Sequence, residues 1–172
     1  MYYGIIRQFA RTLRNLDACL AKAEAYAKDR GFEVDNYCSA RLFPDMLPFV
    51  VQIRIACDQA KFAAANLAGK PVPKHADTEQ TFAELRTRIQ SCAEFVESFS
   101  EADFVNVDSN RPIAVPYPRG KALVVSEYVL RRQVPQFFFH VSMAYALLRH
   151  GGVELGKADY LGELNLVDAP ES

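Results

Sequence analysis

The chain has 172 residues, half of them hydrophobic, and its 20 Lys and Arg nearly cancel its 21 Asp and Glu. A chain of this length is typical of one ordinary domain, so we expect a single domain over residues 1–172. The near-zero net charge argues against sequence-independent binding to nucleic acid or to an anionic membrane surface. The longest uncharged run is too short to span a bilayer and no secretory segment is recognisable, so we expect a cytoplasmic protein without a membrane partner.

Four stretches carry apolar residues at alternating spacings of three and four, which is typical of amphipathic helices that bury one face. The glycines that follow the first two stretches are helix stop signals, and a threonine before the third is a candidate N-cap. The predicted helices cover about Tyr3 to Arg30, Pro44–Asp45 to Gly69, Thr78 to Ser100 and Val134 to His150.

The segment between the third and the last predicted helix contains three prolines and a glycine. Its β-prone flanks, Ile113–Val115 and Leu123–Val125, indicate a hairpin across a Pro-Arg-Gly turn. A short helical turn at Glu127–Arg131 precedes the last helix, and another at Asp35–Ala40 lies in the first connector. The sequence therefore predicts an all-α four-helix bundle with a short β-hairpin inserted before the last helix.

Polar residues recur beside the apolar stripes of the second and last helices. They are Asp45, Gln52 and Gln59 on the second helix, and Gln133, Gln136 and His140 on the last. If these two sets face each other, they line a polar cavity between the helices, which is a common place for a site in a bundle. Two interpretations stay open: the groups satisfy one another as buried polar residues, or they bind a small ligand or a metal ion.

The remaining charged and histidine positions are predicted to have structural roles. His75 lies in a polar loop and is expected to be solvated. Arg54, Asp58 and Lys61 share one flank of the second helix and are predicted to form a solvated or interhelical ion network.

The four cysteines show no Cys-x-x-Cys spacing, which argues against structural zinc or a disulfide framework. Cys57 and Cys92 lie on the apolar stripes, where a reduced cysteine acts as a small hydrophobic residue. Such positions do not indicate the basic, accessible neighbourhood of a catalytic thiol. Tyr128 is predicted to be a packing residue with a tethered hydroxyl.

Three runs of residues, Pro44–Asp58, Phe138–His150 and Gly156–Gly162, resemble a domain-of-unknown-function branch of the DinB/YfiT-like superfamily. The resemblance covers nearly the whole chain. It implies a four-helix bundle, often dimeric, and relatives that are metalloenzymes with one histidine from the second helix and a His-x-x-x-His pair from the fourth. Some branches act in thiol-dependent transfer or detoxification reactions.

The resemblance also implies which positions correspond to the metal ligands. His140 matches the second histidine of the pair, Gln136 stands in the place of the first, and Gln52 takes the inward polar position of the second helix. On this basis His140 is the candidate ligand of a divalent metal such as zinc or nickel.

Two functions follow as expectations. In the first, the protein is a non-catalytic, degenerate member that binds a small ligand through Asp45, Gln52, Gln136 and His140. In the alternative, it is a metal-dependent enzyme of the hydrolase or thiol-transferase type that uses His140 as metal ligand or general base. A homodimer is expected from the resemblance and from the aromatic run Phe137–Phe139, which cannot point wholly into one core.

Overall fold

Four long helices pack their apolar stripes against one another in the computed structural model, which describes residues 1–169. They are α1 (Tyr2–Arg30), α2 (Phe49–Ala68), α3 (Phe82–Glu97) and α4 (Val134–His150). Helix α3 packs on α1 and α2, and α4 packs on α2 and α1, so the four helices close into a bundle. The predicted all-α four-helix bundle is confirmed.

One contiguous cluster of buried side chains forms the core. Its largest members are phenylalanines that meet in pairs across helix boundaries. The rings of Phe9 and Phe137 stack with their centroids 4.3 Å apart, and those of Phe49 and Phe82 stack at 5.3 Å. Such pairs add to the free energy gained by burying the rings, so they hold α1 to α4 and α2 to α3.

Helix α2 begins at Phe49, later than the predicted start at Pro44–Asp45. Pro48 has no N–H and could not bond back to the carbonyl of Pro44, so a helix through both prolines would lose that bond. The carbonyl of Pro48 instead accepts the N–H of Gln52 at 3.1 Å, as expected of a residue that caps a helix start.

Helix α3 also begins later than predicted, after Thr81 rather than Thr78. The Thr81 hydroxyl accepts the backbone N–H of Glu84 at 3.2 Å, and the Glu84 carboxylate accepts the N–H of Thr81 at 3.0 Å. This reciprocal capping box needs a Glu or Gln three residues after the cap, which Thr81 has and Thr78 lacks. The helix ends at Glu97, slightly before the predicted Ser100.

The predicted hairpin is present as β1 (Pro112–Ala114) and β2 (Ala122–Val124), an antiparallel pair in which Ile113 lies opposite Leu123. A helical turn at Val125–Glu127 and a π-helical turn at Tyr128–Gln133 then lead into α4 without a break. A π-helical turn holds more residues than an α-helical turn and is frequent at functional sites. It changes which side chains face α2 just before α4 begins.

Short elements connect and finish the bundle. They are 3-10 helices at Val34–Ser39 and Glu101–Phe104, and α5 (Lys157–Leu161), which packs on α1. Among the described residues, no helix combines the length and the apolar character needed to cross a membrane.

Candidate functional site

Helix α2 and the segment that contains α4 face each other with polar side chains at three successive levels, which we call the polar seam. Its members are Gln52, Gln59 and Asn66 on α2, and His140, Gln133 and Tyr128 on the facing segment. The α2 residues are seven apart, so they lie on one face at intervals of about 10 Å. The seam therefore crosses most of the interface between these helices.

The first level joins His140 to Gln52. The ring atom Nδ1 of His140 lies 2.7 Å from Gln52 Oε1, and Gln52 Nε2 donates to the carbonyl of Leu47 at 3.0 Å. Because the amide nitrogen is used on Leu47, the oxygen faces the ring and can only accept. The proton of His140 is therefore on Nδ1, and Nε2 keeps its lone pair.

The histidine of this pair is neutral. Burial lowers the pKa of His140 below its ordinary value of 6.5, since the charged imidazolium would lose hydration. At neutral pH the ring presents one lone pair, on Nε2, that can accept a hydrogen bond.

The second level contains a buried acceptor without a partner. Gln133 is fully buried, and its Nε2 donates to the backbone oxygen of Gln59 at 3.2 Å, while its Oε1 accepts from Arg132 Nη1 at 3.1 Å. The side-chain oxygen of Gln59 is buried and, among the described residues, has no hydrogen-bond donor. An unpaired buried oxygen of this kind costs about 1–3 kcal/mol of stability.

The third level joins Asn66 to Tyr128. Asn66 Nδ2 donates to the Tyr128 hydroxyl at 2.8 Å, and burial raises the pKa of that phenol, so it stays protonated. The prediction that Tyr128 packs with a tethered hydroxyl is confirmed. Because the hydroxyl accepts from Asn66, its own proton is available to a further acceptor.

A cavity of about 320 Å³ opens where the second and third levels meet the hairpin. Its polar wall is made by Gln59, Asn66, Tyr128 and Arg132. The volume is at the lower end of the range for small-molecule sites. The π-helical turn supplies both Tyr128 and Arg132, so the irregular turn before α4 shapes this wall.

The other lining residues of the cavity are apolar. They are Phe62 on α2, Val72 in the following loop, and Ala114 and Pro116 at the end of the first strand of the hairpin. Among the described residues, no acidic side chain lines the cavity. The cavity therefore offers a small molecule apolar surface together with amides, a phenol and a guanidinium.

The predicted site residues are brought together only in part. Gln52 and His140 pair as expected, but Gln136 is half-buried and bonds to neither of them. Asp45 lies exposed in the loop before α2, because the helix begins after Pro48. Neither Gln52 nor His140 lines the cavity.

Sequence reasoning missed Asn66 and Arg132. Asn66 continues the seven-residue spacing of Gln52 and Gln59, so extending that pattern would have found it. Arg132 offers no such signal, because its position depends on the π-helical turn.

Comparisons with known proteins place this architecture in a family. Residues 1–161 match the model of a family described as a domain of unknown function, DUF1993. The chain belongs to this family. Its fold matches the crystal structure of a DinB family member protein from Shewanella denitrificans with a TM-score of 0.89 and 42% sequence identity. The match covers 95% of this chain and 93% of that one. Among curated proteins, none matches the chain.

In this DUF1993 chain the donor set does not fit the three-histidine metal centre that the DinB resemblance implied. Helix α2 contains no histidine. Of the three ligand positions, only His140 is a histidine, and the other two are Gln52 and Gln136. Within residues 1–169, no group of three or more His, Cys, Asp or Glu is arranged to hold a metal ion. Amide groups are weak ligands for zinc or nickel, so His140 stands alone as a donor.

A second polar cluster in this DUF1993 fold joins α2 to α3. The side chain of Arg88 is 1% exposed and bonds to Asp58 and Asp77 at 2.8 Å and to Glu79 at 2.9 Å. Arg54 adds an ion pair with Glu79 at 2.8 Å. The predicted ion network is thus interhelical, and it is centred on an arginine that the sequence pattern did not single out.

His75 belongs to this cluster, and the expectation that it is solvated is wrong. Its Nδ1 lies 2.9 Å from Lys61 Nζ, and the loop after α2 folds back so that the ring is half-buried. Burial, and then the nearby charge of Lys61, lower the pKa of His75. The neutral ring accepts a hydrogen bond from the ammonium group, so His75 helps to satisfy a lysine whose side chain is 4% exposed.

Cys57 and Cys92 lie beneath this cluster, and their interaction raises the pKa of Cys57 and lowers that of Cys92. Lys61 and Arg88 also lower the pKa of Cys92, whereas burial and Asp58 raise it. Both thiols are fully buried, and this keeps them from acting on a substrate in the folded protein.

Proposed function

We propose that this DUF1993 protein is a non-catalytic member of the DinB-like group that binds a small ligand. The ligand site is the cavity between α2, the hairpin and the π-helical turn. It lies about two helical turns along α2 from the Gln52–His140 pair. In this proposal His140 and Gln52 maintain the packing of α2 on α4, and Gln136 and Asp45 do not contact the ligand.

The observation that carries the proposal is the half-buried guanidinium of Arg132 at the cavity. Among the described residues it bonds only to Gln133 Oε1, so most of its N–H groups have no acceptor in the protein. Partly buried polar groups are normally hydrogen-bonded, and a ligand with an acceptor group would bond to these donors.

A probe screen with matched variants tests whether this cavity binds ligands. The probes are the three isomers of hydroxybenzamide and of hydroxybenzoate, observed by saturation-transfer NMR. We expect at least one isomer to bind the wild type, Ala114→Phe to abolish this binding by filling the cavity, and Ala122→Phe to retain it.

The control is well matched because Ala114 and Ala122 are cross-strand partners, both exposed, and only Ala114 lines the cavity. Circular dichroism and thermal unfolding check that both variants fold. Absence of binding by every probe, or equal binding by both variants, would overturn the proposed function.

The alternative of a metal-dependent enzyme predicts a different composition of the purified protein. Because the described residues contain no group of three or more His, Cys, Asp or Glu arranged to hold a metal ion, we expect substoichiometric zinc and nickel after purification without an affinity tag. Elemental analysis measures this. One equivalent of either metal, lost in His140→Ala, would contradict the non-catalytic proposal.

We further propose that the protein is a homodimer that acts in the cytoplasm. The dimer is supported by Phe139, which is 52% exposed while its neighbour Phe137 is fully buried. The cytoplasmic location rests on the sequence expectation alone.

A further inference from the structure

The cavity wall carries a positive charge that no acid balances. Arg132 is half-buried, and among the described residues its guanidinium bonds only to Gln133 Oε1. The adjacent Arg131, by contrast, is paired with Glu127 at 3.1 Å. A guanidinium has five N–H donors, so most of those on Arg132 are free for a ligand.

A second donor on the same wall is the hydroxyl of Tyr128. It accepts a hydrogen bond from Asn66, so its own proton is free to be donated. Two convergent donors, one of them charged, are typical of sites that hold a carboxylate through both oxygens.

We propose that the cavity binds a small, flat organic carboxylate whose acid group lies between Arg132 and Tyr128. This rests on the proposed function, since it names the ligand class of the same cavity. The flat body packs against the apolar lining residues Phe62, Val72 and Pro116.

The role of the ligand's negative charge is tested by comparing the affinities of acids with those of their neutral amides. We expect the best hydroxybenzoate isomer to bind the wild type about tenfold more tightly than the matching hydroxybenzamide, measured by calorimetry. Arg132→Met should remove this difference, because it weakens binding of the acid more than binding of the amide. Arg131→Met is the matched control, because the side chain is exposed and does not line the cavity, and it should retain the wild-type preference.

The hydroxyl of Tyr128 is tested in the same way. Tyr128→Phe should weaken binding of the acids more than binding of the amides, because a hydrogen bond to a charged acceptor is stronger than one to a neutral acceptor.

The outcomes separate the two proposals. If acids and amides bind with equal affinity, or if Arg132→Met and Arg131→Met behave alike, the carboxylate assignment is wrong while the cavity remains a ligand site. If no probe binds in a way that Ala114→Phe abolishes, both the assignment and the proposed function are wrong. A preference for acids that Arg132→Met removes supports both.

Discussion

The tautomer of His140 is determined by Gln52, a residue that does not line the ligand cavity. Gln52 is oriented by its bond to the Leu47 carbonyl, and this orientation places the proton of His140 on Nδ1. Where a histidine binds metal, such a partner holds the ring and leaves Nε2 free to coordinate. In this chain the hydrogen bond satisfies two buried polar groups, the His140 ring and the Gln52 amide.

Removing His140 therefore tests the first level of the seam. We expect His140→Ala to lower the free energy of unfolding by about 1–3 kcal/mol, because Gln52 Oε1 loses its donor. His150→Ala is the control, since that residue is exposed at the end of α4 and should change stability by less than about 0.5 kcal/mol. Urea unfolding measures both. Equal effects would show that the pair contributes nothing to stability.

The pH dependence of the His140 contribution has a defined sign. Burial lowers the pKa of His140 in the folded state, so below its ordinary value of 6.5 the unfolded chain takes up a proton that the folded chain does not. The stability of the wild type then falls as the pH falls through this window. The free energies of unfolding of wild type and His140→Ala should therefore become more similar as the pH falls from about 7 to about 5. The pKa of His75 is also lowered, but His75 is present in both proteins, so its contribution to the pH dependence cancels.

At the scale of the elements, α2 and α3 are joined by charge as well as by their apolar stripes. Arg88 is almost fully buried and forms ion pairs with three carboxylates, one on α2 and two in the loop before α3. Burying such a charge is favourable only while its partners remain in place. The network therefore specifies how the loop folds over the α2–α3 interface, and with it the burial of His75.

Replacing Arg88 should be far more costly than replacing an exposed arginine. We expect Arg88→Met to lower the free energy of unfolding by about 3 kcal/mol, because Asp58 and Glu79 lose a desolvated partner. Arg131→Met breaks an ion pair with Glu127 whose side chains are 77% and 45% exposed, and should cost less than about 1 kcal/mol. Chemical denaturation compares the two. Similar losses would mean that the buried network is no stronger than a surface pair.

At the scale of the whole molecule, apolar side chains remain exposed at one end of the bundle. Phe43 and Leu47 precede α2 and are 63% and 44% exposed, and Phe139 on α4 is 52% exposed. The bonds from Leu47 through Gln52 to His140 bring this loop and α4 to the same end. Large exposed apolar groups at one place are typical of an interface between chains.

This surface gives the dimer prediction a specific test. We expect the wild type to sediment as a dimer at micromolar concentration, and Phe139→Glu to sediment as a 19.3 kDa monomer, because a charge in an apolar interface is unfavourable. Leu166→Glu is the control, because Leu166 is 85% exposed in the tail and should leave the dimer intact. A wild type that is already monomeric would contradict the prediction.

The sequence by itself determined the four long helices, the hairpin and the helix faces on which Gln52 and His140 lie. These follow from periodicity along single segments, where the spacing of residues directly sets the face on which they lie. The starts of α2 and α3 were also encoded locally, by Pro48 and by the Thr81–Glu84 capping box, although the prediction placed them too early.

Only the tertiary structure decided where the cavity lies and which charges are buried. The cavity exists because the hairpin, which begins 46 residues after Asn66 at Pro112, packs beside α2 and because a π-helical turn directs Arg132 toward it. The burial of Arg88 and His75 likewise depends on how a loop folds back over two helices. Helical periodicity reports the faces of one segment, whereas these features depend on contacts between segments far apart in the chain, whose geometry is set only when the bundle packs.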